Sequence, residues 1–142
     1  MTSHTPETTW NALTLHWQQL ADLGGIGSLL GWDQSTFLPV GAAGGRARQQ
    51  ALLAGIVHER ATDAAYGRLL DDAQAHTDWT PVQARTLALA RRQFEEATRL
   101  PGTFVQEFTQ HVGESYSAWV EARPANDFTR MVPYLELSLI HI

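Results

Sequence analysis

The chain has 142 residues, enough for one domain with a sizeable core, and 44% hydrophobic against 18% charged residues is the balance of a globular protein. A net charge of -5 with scattered arginines argues against a nucleic-acid-binding protein, and the lack of cysteine excludes disulfides and thiolate metal ligands. The first ten residues lack the basic start and apolar run of a signal peptide, and no apolar stretch approaches the ~20 residues that span a bilayer, so we expect a cytoplasmic protein without a membrane partner.

The amino terminus carries a helix start. Thr5 supplies a capping hydroxyl, Pro6 suits the first helical position and Glu7 faces the positive end of the helix dipole. A stripe of apolar residues follows at spacings of three and four: Trp10, Leu13, Trp17 and Leu20. Three glycines at 24, 25 and 27 then mark either a weakened helix end or a close helix crossing, and we favour the crossing because the apolar period continues beyond them.

Residues 35–45, STFLPVGAAGG, are predicted to form a loop because Pro39 disfavours helix at Leu38 and three glycines follow. A second helix is predicted from about Ala42 to Arg60. Its predicted buried side chains are Leu52, Leu53, Ile56 and Val57.

Further helices follow with their own start signals. Thr62 or Asp63 is predicted to cap a third helix, and Thr80 with Pro81 to open a fourth. A fifth helix is predicted to end near Ala122, with a turn at Pro124 and a short helix from Asn126. The apolar stripe of the fifth helix is Phe104, Phe108, Val112, Tyr116 and Trp119. We predict that Trp10, Trp17 and Trp119 lie in the core. The fold class is therefore all-α, with five or six helices and no sheet.

The pair His58-Glu59 resembles the opening of the zinc-protease motif H-E-x-x-H, but Thr62 stands where the second histidine belongs. His58 is predicted to lie in the last turn of the second helix and Thr62 to begin the third, so the two positions would not share a helical face. An end-of-helix histidine, favourable near the negative end of the dipole, is the simpler interpretation.

Two other places offer candidate chemistry. Glu107, His111 and Glu114 share one helical face by spacing, which suits either a carboxylate-histidine metal site or, as we prefer, a solvated polar face. Asp33 beside Trp32 is either a buried acid for proton transfer or, as we prefer, a residue that caps the loop backbone.

Two longer blocks point to a family: LLGWDQSTFLPVGAAGGRARQQALLAGIVHERATD and WVEARPANDFTRMVPYLE. The first contains Trp-Asp, a Thr, a Pro with glycines, an Arg and His-Glu-Arg. The second contains a Trp, an acid, Ala-Arg, Asp-Phe and Pro-Tyr-Leu. In these features the chain resembles the amino-terminal region of the carboxypeptidase Taq family of thermostable metallocarboxypeptidases, from about Trp10 to Glu136.

The resemblance implies a helical cytoplasmic enzyme, usually a homodimer, that uses zinc or cobalt to remove single residues from peptide carboxyl termini with broad side-chain tolerance. The family's H-E-x-x-H, its downstream glutamate ligand and its substrate-carboxylate motifs come later in a longer chain. We therefore expect residues 1–136 to form the N-terminal helical region. We expect it to be inactive alone, with no catalytic, cofactor-binding or metal-binding residue and no bound metal.

We have two further expectations, one for residues 137–142 and one for an alternative function. Residues 137–142, LSLIHI, do not resemble the family's continuing helix, and we expect a truncated gene model or foreign trailing residues there. The alternative function is a free-standing helical interaction module, without catalysis, that uses its aromatic stripes to bind a partner helix.

Overall fold

A computed structural model describes the backbone of residues 5–140 and the side chains of all of these except 40 and 140. Within that range there are helices and connecting turns and no strand, which confirms the all-α fold. The six α-helices are α1 (Pro6–Thr36), α2 (Ala43–Ala61), α3 (Ala64–Gln74), α4 (Pro81–Thr98), α5 (Gly102–Ala125) and α6 (Val132–Ile140), with short 3-10 helices at Val40–Ala42 and Phe128–Arg130. None of the helices in residues 5–140 combines the length and apolarity needed to cross a bilayer.

The predicted helix starts are confirmed. Thr5 caps α1 by accepting a hydrogen bond from the Thr8 N–H at 3.2 Å. Asp63, the second of the two candidates, caps α3 through the Ala65 N–H. At α4 the Thr80 hydroxyl accepts from the Gln83 N–H while the Gln83 side chain accepts from the Thr80 N–H, a reciprocal capping box that satisfies two helix-end donors.

The loop predicted for residues 35–45 is shorter than the sequence suggested. Helix α1 continues to Thr36 because the backbone N–H groups of Phe37 and Leu38 both donate to the Asp33 carbonyl, and Gly44 and Gly45 lie in the first turn of α2. A glycine costs less there than in a helix interior, since first-turn N–H groups have no intrahelical partner. Only residues 37–39 separate α1 from the 3-10 turn that leads into α2.

The turn predicted at Pro124 lies two residues later. Pro124 belongs to the last turn of α5, and the chain turns at Asn126, whose φ of 51° is left-handed and whose N–H donates to the carbonyls of Ala122 and Arg123. Asparagine is among the few residues that adopt this conformation readily at a helix end. The next α-helix, α6, runs without a break past Glu136, where we expected the boundary of the N-terminal region.

A buried hydrophobic cluster joins the first half of α1 to α3 and α4. It consists of Leu13, Tyr66, Leu70, Ala73, Leu87 and Ala90, with Trp10, Trp17, Leu69, Trp79 and Phe94 packed around it. Leu13 and Leu70 are almost completely buried. The prediction that Trp10 and Trp17 belong to the core is confirmed, because both rings pack against this cluster.

Helices α2 and α5 form the second contact region, and small residues line it. A Cβ atom added to Gly113 of α5 would lie 3.1 Å from the Cβ of Ala47 of α2, so the two backbones pass close together. The buried residues of α2 are Ala47, Ala51 and Gly55. Where two helices pack this closely, small side chains lie at the contact and larger side chains lie beside it.

The predicted burial of large side chains on these two helices is therefore wrong in part. Leu52 is 64% exposed and Ile56 39% exposed, because the buried face of α2 is the alanine and glycine face. On α5, Trp119 is 47% exposed rather than in the core, and Phe108 and Val112 of the same stripe are exposed as well. The buried residues of α5 are His111, Gly113 and Ala122.

The glycine-rich stretch of α1 is an unbroken helix. A Cβ at Gly27 would lie 3.5 Å from the Leu53 side chain of α2, so α2 packs on α1 at this residue through an ordinary side-chain contact. At Gly24, Gly25 and Gly31 nothing lies within 4 Å. Each glycine inside a helix costs roughly 0.5–1 kcal/mol relative to alanine, so at these three positions no contact within the described residues explains the cost.

Candidate functional site

The His58-Glu59 pair lies at the end of α2, as predicted, but Thr62 belongs to the same helix end. Its N–H and its hydroxyl both donate to the His58 carbonyl, at 2.9 and 2.8 Å. The prediction that Thr62 begins the next helix is therefore wrong, since Asp63 takes that role. The His58 ring lies beside the beginning of α5. A Cβ atom added to Gly102 would lie 3.4 Å from His58 Cδ2. His58 thus lies at the α2–α5 contact, while Glu59 is exposed.

The predicted face of Glu107, His111 and Glu114 is divided between different partners. His111 is 8% exposed, and its Nε2 lies 3.0 Å from the Tyr134 carbonyl and 3.1 Å from the Ser138 hydroxyl, both on α6. Glu114 accepts a hydrogen bond from its neighbour Gln110. His111 therefore anchors α6 to α5, so the prediction of a solvated face is wrong for His111, whereas Glu107 is exposed.

These residues do not fit a metal site. The donor nitrogen His111 Nε2 is already engaged by α6, and across residues 5–140 no three His, Asp or Glu side chains are placed to hold one ion. A catalytic zinc normally takes three protein ligands and an open position. The described part of the chain thus does not provide a ligand set for the family's metal.

Asp33 takes part in an ion pair. Its Oδ2 accepts a hydrogen bond from Arg46 Nη2 at 2.5 Å, and Arg46 Nη1 donates to the Leu30 carbonyl at the same distance. The Arg46 side chain is only 10% exposed. The pair ties the last turn of α1 to the first turns of α2. We expected Asp33 to cap the loop backbone. It does so through its main-chain carbonyl, which accepts hydrogen bonds from the N–H groups of residues 37 and 38.

A cluster that the sequence analysis did not single out joins α1 to α3. The His16 ring stacks on Tyr66 with centroids 4.1 Å apart, and Trp17 Nε1 donates to the Tyr66 hydroxyl at 3.0 Å. His16 Nε2 is buried and lacks a hydrogen-bond partner among the described residues. Burial lowers the pKa of His16, with the charge of Asp63 acting in the opposite direction, and burial raises the pKa of Tyr66. The only sequence signal was the position of His16 beside the buried stripe.

A groove of about 510 Å³ lies between the second half of α1, α2 and the middle of α5. We call it the α1–α2–α5 groove. Its lining residues are Leu23, Gly24, Gly27, Gly31, Gln34, Ser35, Gln50, Leu53, Ala54, Val57, Thr109, Val112, Gly113 and Tyr116. No member of this lining carries a charge. The sequence had indicated the glycines and the α5 stripe separately, but their meeting in one groove depends on tertiary packing.

Comparison with known proteins assigns the chain to a family. The sequence profile of the carboxypeptidase Taq (M32) metallopeptidases matches residues 12–141. The chain belongs to this family. The match extends past Glu136, so it does not end at the boundary that we expected from the sequence.

Individual M32 proteins give the same result. The chain is 33% identical over 139 residues to thermostable carboxypeptidase 1 of Thermus thermophilus, covering 93% of this chain and 26% of that protein. It is 24% identical over 114 residues to thermostable carboxypeptidase 1 of Pyrococcus furiosus. The crystal structure of the M32 carboxypeptidase from Deinococcus radiodurans R1 is similar with a TM-score of 0.72 and 67% identity, covering 93% of this chain and 27% of that one.

The chain therefore spans about a quarter of the length of the M32 proteins that it matches. The family resemblance inferred from the two sequence blocks is confirmed, and the alternative of a free-standing interaction module is not favoured. Arg46 and Asp33, which form the partly buried ion pair, both lie in the first of these blocks.

Proposed function

We propose that residues 1–136 are the N-terminal helical region of a metal-dependent carboxypeptidase that releases single residues from peptide carboxyl termini with broad side-chain tolerance. The observation that carries the proposal is the M32 match over residues 12–141 together with coverage of only 26–27% of the matched proteins. The 67% identity to the Deinococcus radiodurans structure supports a shared arrangement of these helices.

In this proposal the region serves as scaffold and as a wall of the substrate cleft. Two of its candidate site residues have structural partners, Arg46 in Asp33 and His111 in α6. The metal, zinc or cobalt, is held by other parts of the whole enzyme. We further propose that the whole enzyme is a cytoplasmic homodimer acting on peptides, and that this region alone is inactive and binds no metal.

A chimeric enzyme tests the proposal. Residues 12–141 replace the matching segment of the Deinococcus radiodurans carboxypeptidase, and release of the carboxyl-terminal residue from a blocked dipeptide is measured. We expect kcat/KM within about tenfold of the parent enzyme, since the two segments have similar sequence and fold. The control chimera carries Leu70→Glu, which places a charge in the α1–α3–α4 cluster and should abolish folding. A folded chimera without turnover would contradict the proposal.

A further inference from the structure

We propose that the α1–α2–α5 groove is the docking surface for an amphipathic helix from the part of the carboxypeptidase polypeptide that has no counterpart in this chain. The inference rests on the proposed function. It concerns a contact between two parts of the whole enzyme.

The chemistry of the groove suits an apolar partner. Its walls are formed by Leu53 and Val57 of α2 and by Val112 and Tyr116 of α5, with no charged residue in the lining. Val112 is 48% exposed and Tyr116 37% exposed, which is unusual for large side chains that face inward across a groove. Protein interfaces are depleted of charge at their centre and enriched in aromatic residues. A phosphate or a carboxylate would find no cation there.

The shape of the groove suits a helix. Gly24, Gly27 and Gly31 stand at spacings of three and four, on one face of α1, and all three line the groove. Without side chains, this face lets another backbone approach closely. Gly24 and Gly31 have no neighbour within 4 Å, so an additional element would explain glycines that the described contacts leave unexplained. The row is ~10 Å long at 1.5 Å per residue, about two turns of a helical partner.

The occupant follows from the length of the relatives. The chain corresponds to 27% of the Deinococcus radiodurans chain with a TM-score of 0.72, so most of that polypeptide lies outside the matched region and offers segments that could fill the groove. A second copy of this chain is the alternative occupant, and the self-association of the isolated chain distinguishes it from a segment of the same polypeptide.

The experiment uses substitutions that fill the groove, made both in the chimeric enzyme and in the isolated 142-residue chain. Gly24→Leu adds a side chain to the groove lining at one end and Gly31→Leu at the other; at both positions an added Cβ would have no tertiary contact within 4 Å among the described residues. The matched control is Gly25→Leu, which makes the same change on the same helix, also without a neighbour, but outside the groove lining. The readouts are the midpoint of thermal unfolding and the oligomeric state by sedimentation velocity.

In the isolated chain we expect all three variants to unfold at or above the wild-type midpoint, since leucine favours helix over glycine. In the chimera we expect Gly24→Leu and Gly31→Leu to lower the midpoint by at least 5 °C and Gly25→Leu to leave it unchanged or higher. Equal shifts for Gly24→Leu and Gly25→Leu in the chimera would overturn the docking surface. So would an isolated chain whose self-association is abolished by Gly24→Leu alone, since the occupant would then be a second copy.

Failure of the docking surface and failure of the proposed function give different results. If the chimera folds, lacks peptidase activity and is destabilised only by the groove substitutions, the docking surface is supported and the proposed function is contradicted. An active chimera in which all three substitutions have equal effects keeps the function and contradicts the docking surface. A chimera that does not fold contradicts both.

Discussion

Two leucine-to-alanine substitutions separate the packing seen in the structure from the packing that periodicity suggests. Leu70 is 1% exposed in the α1–α3–α4 cluster, whereas Leu52, predicted from the sequence to be buried, is 64% exposed. Leu70→Ala removes three buried carbon atoms, worth about 2.4 kcal/mol at about 0.8 kcal/mol for each. The cavity that remains adds to this loss, so we expect about 3 kcal/mol. Leu52→Ala should cost about 0.5 kcal/mol or less.

Urea unfolding of the purified chain, followed by far-ultraviolet circular dichroism, measures both values. With a denaturant slope of about 2 kcal/mol per molar, Leu70→Ala should lower the unfolding midpoint by about 1.5 M, and Leu52→Ala by less than about 0.3 M. Equal losses for the two variants would refute the assignment of the core to α1, α3 and α4. A Leu70→Ala midpoint indistinguishable from wild type would refute it as well.

Four further predictions follow from other contacts. Gly67→Ala should destabilise the chain by about 1–3 kcal/mol in urea titrations, because its Cβ would lie 2.8 Å from the Phe94 ring, whereas Gly25→Ala should not. Because burial lowers the pKa of His16 below 6.5, the unfolded state takes up this proton more readily. The free energy of unfolding should therefore fall as the pH drops through and below 6.5. His16→Phe should reduce this dependence of the unfolding free energy on pH, and an unchanged dependence would count against the burial of His16. Calorimetry with zinc should detect no sub-micromolar site, and such a site lost in His111→Ala would contradict this. Light scattering should show concentration-dependent association of the isolated chain, because large apolar side chains outside the groove lining are exposed, among them Leu29, Trp32 and Phe37; a monodisperse monomer at all concentrations would contradict it.

The helices were predictable because their signals are local. Thr5-Pro6 and Thr80-Pro81 place a capping hydroxyl and a proline at consecutive positions, and the structure begins a helix at each pair. Asn126 had the chemistry of a left-handed cap, but Pro124 was the stronger local signal and drew the predicted turn two residues too early. A helix end depends on which residue satisfies the last carbonyls, and this is not set by proline alone.

Burial was predictable only where one face of a helix has a partner along its apolar stripe. Trp10 and Trp17 met this condition, since α3 and α4 cover that face of α1. Leu52 and Trp119 did not, because α2 and α5 approach through Ala47 and Gly113 and leave their larger side chains outside. Periodicity identifies an apolar face, but whether another helix covers it depends on tertiary packing.

The side-chain pairings at the candidate sites could not be predicted from local sequence patterns, because they too depend on tertiary packing. Asp33 and Arg46 are 13 positions apart, and His111 lies 23 positions before its partner Tyr134. Neither separation corresponds to a helical or strand repeat. The family was predictable because two ordered blocks of the sequence carry it, and this resemblance, rather than any single residue, led to the function.

The central claim is that this chain contributes the scaffold of a metallocarboxypeptidase without its catalytic machinery. The most direct measurement is release of the carboxyl-terminal residue from a blocked dipeptide, in the presence of zinc or cobalt, by the isolated chain and by the chimeric enzyme in one assay. We predict turnover by the chimera and none by the isolated chain. Turnover by the isolated chain that survives removal of contaminating proteases, or a folded chimera without turnover, would contradict the claim.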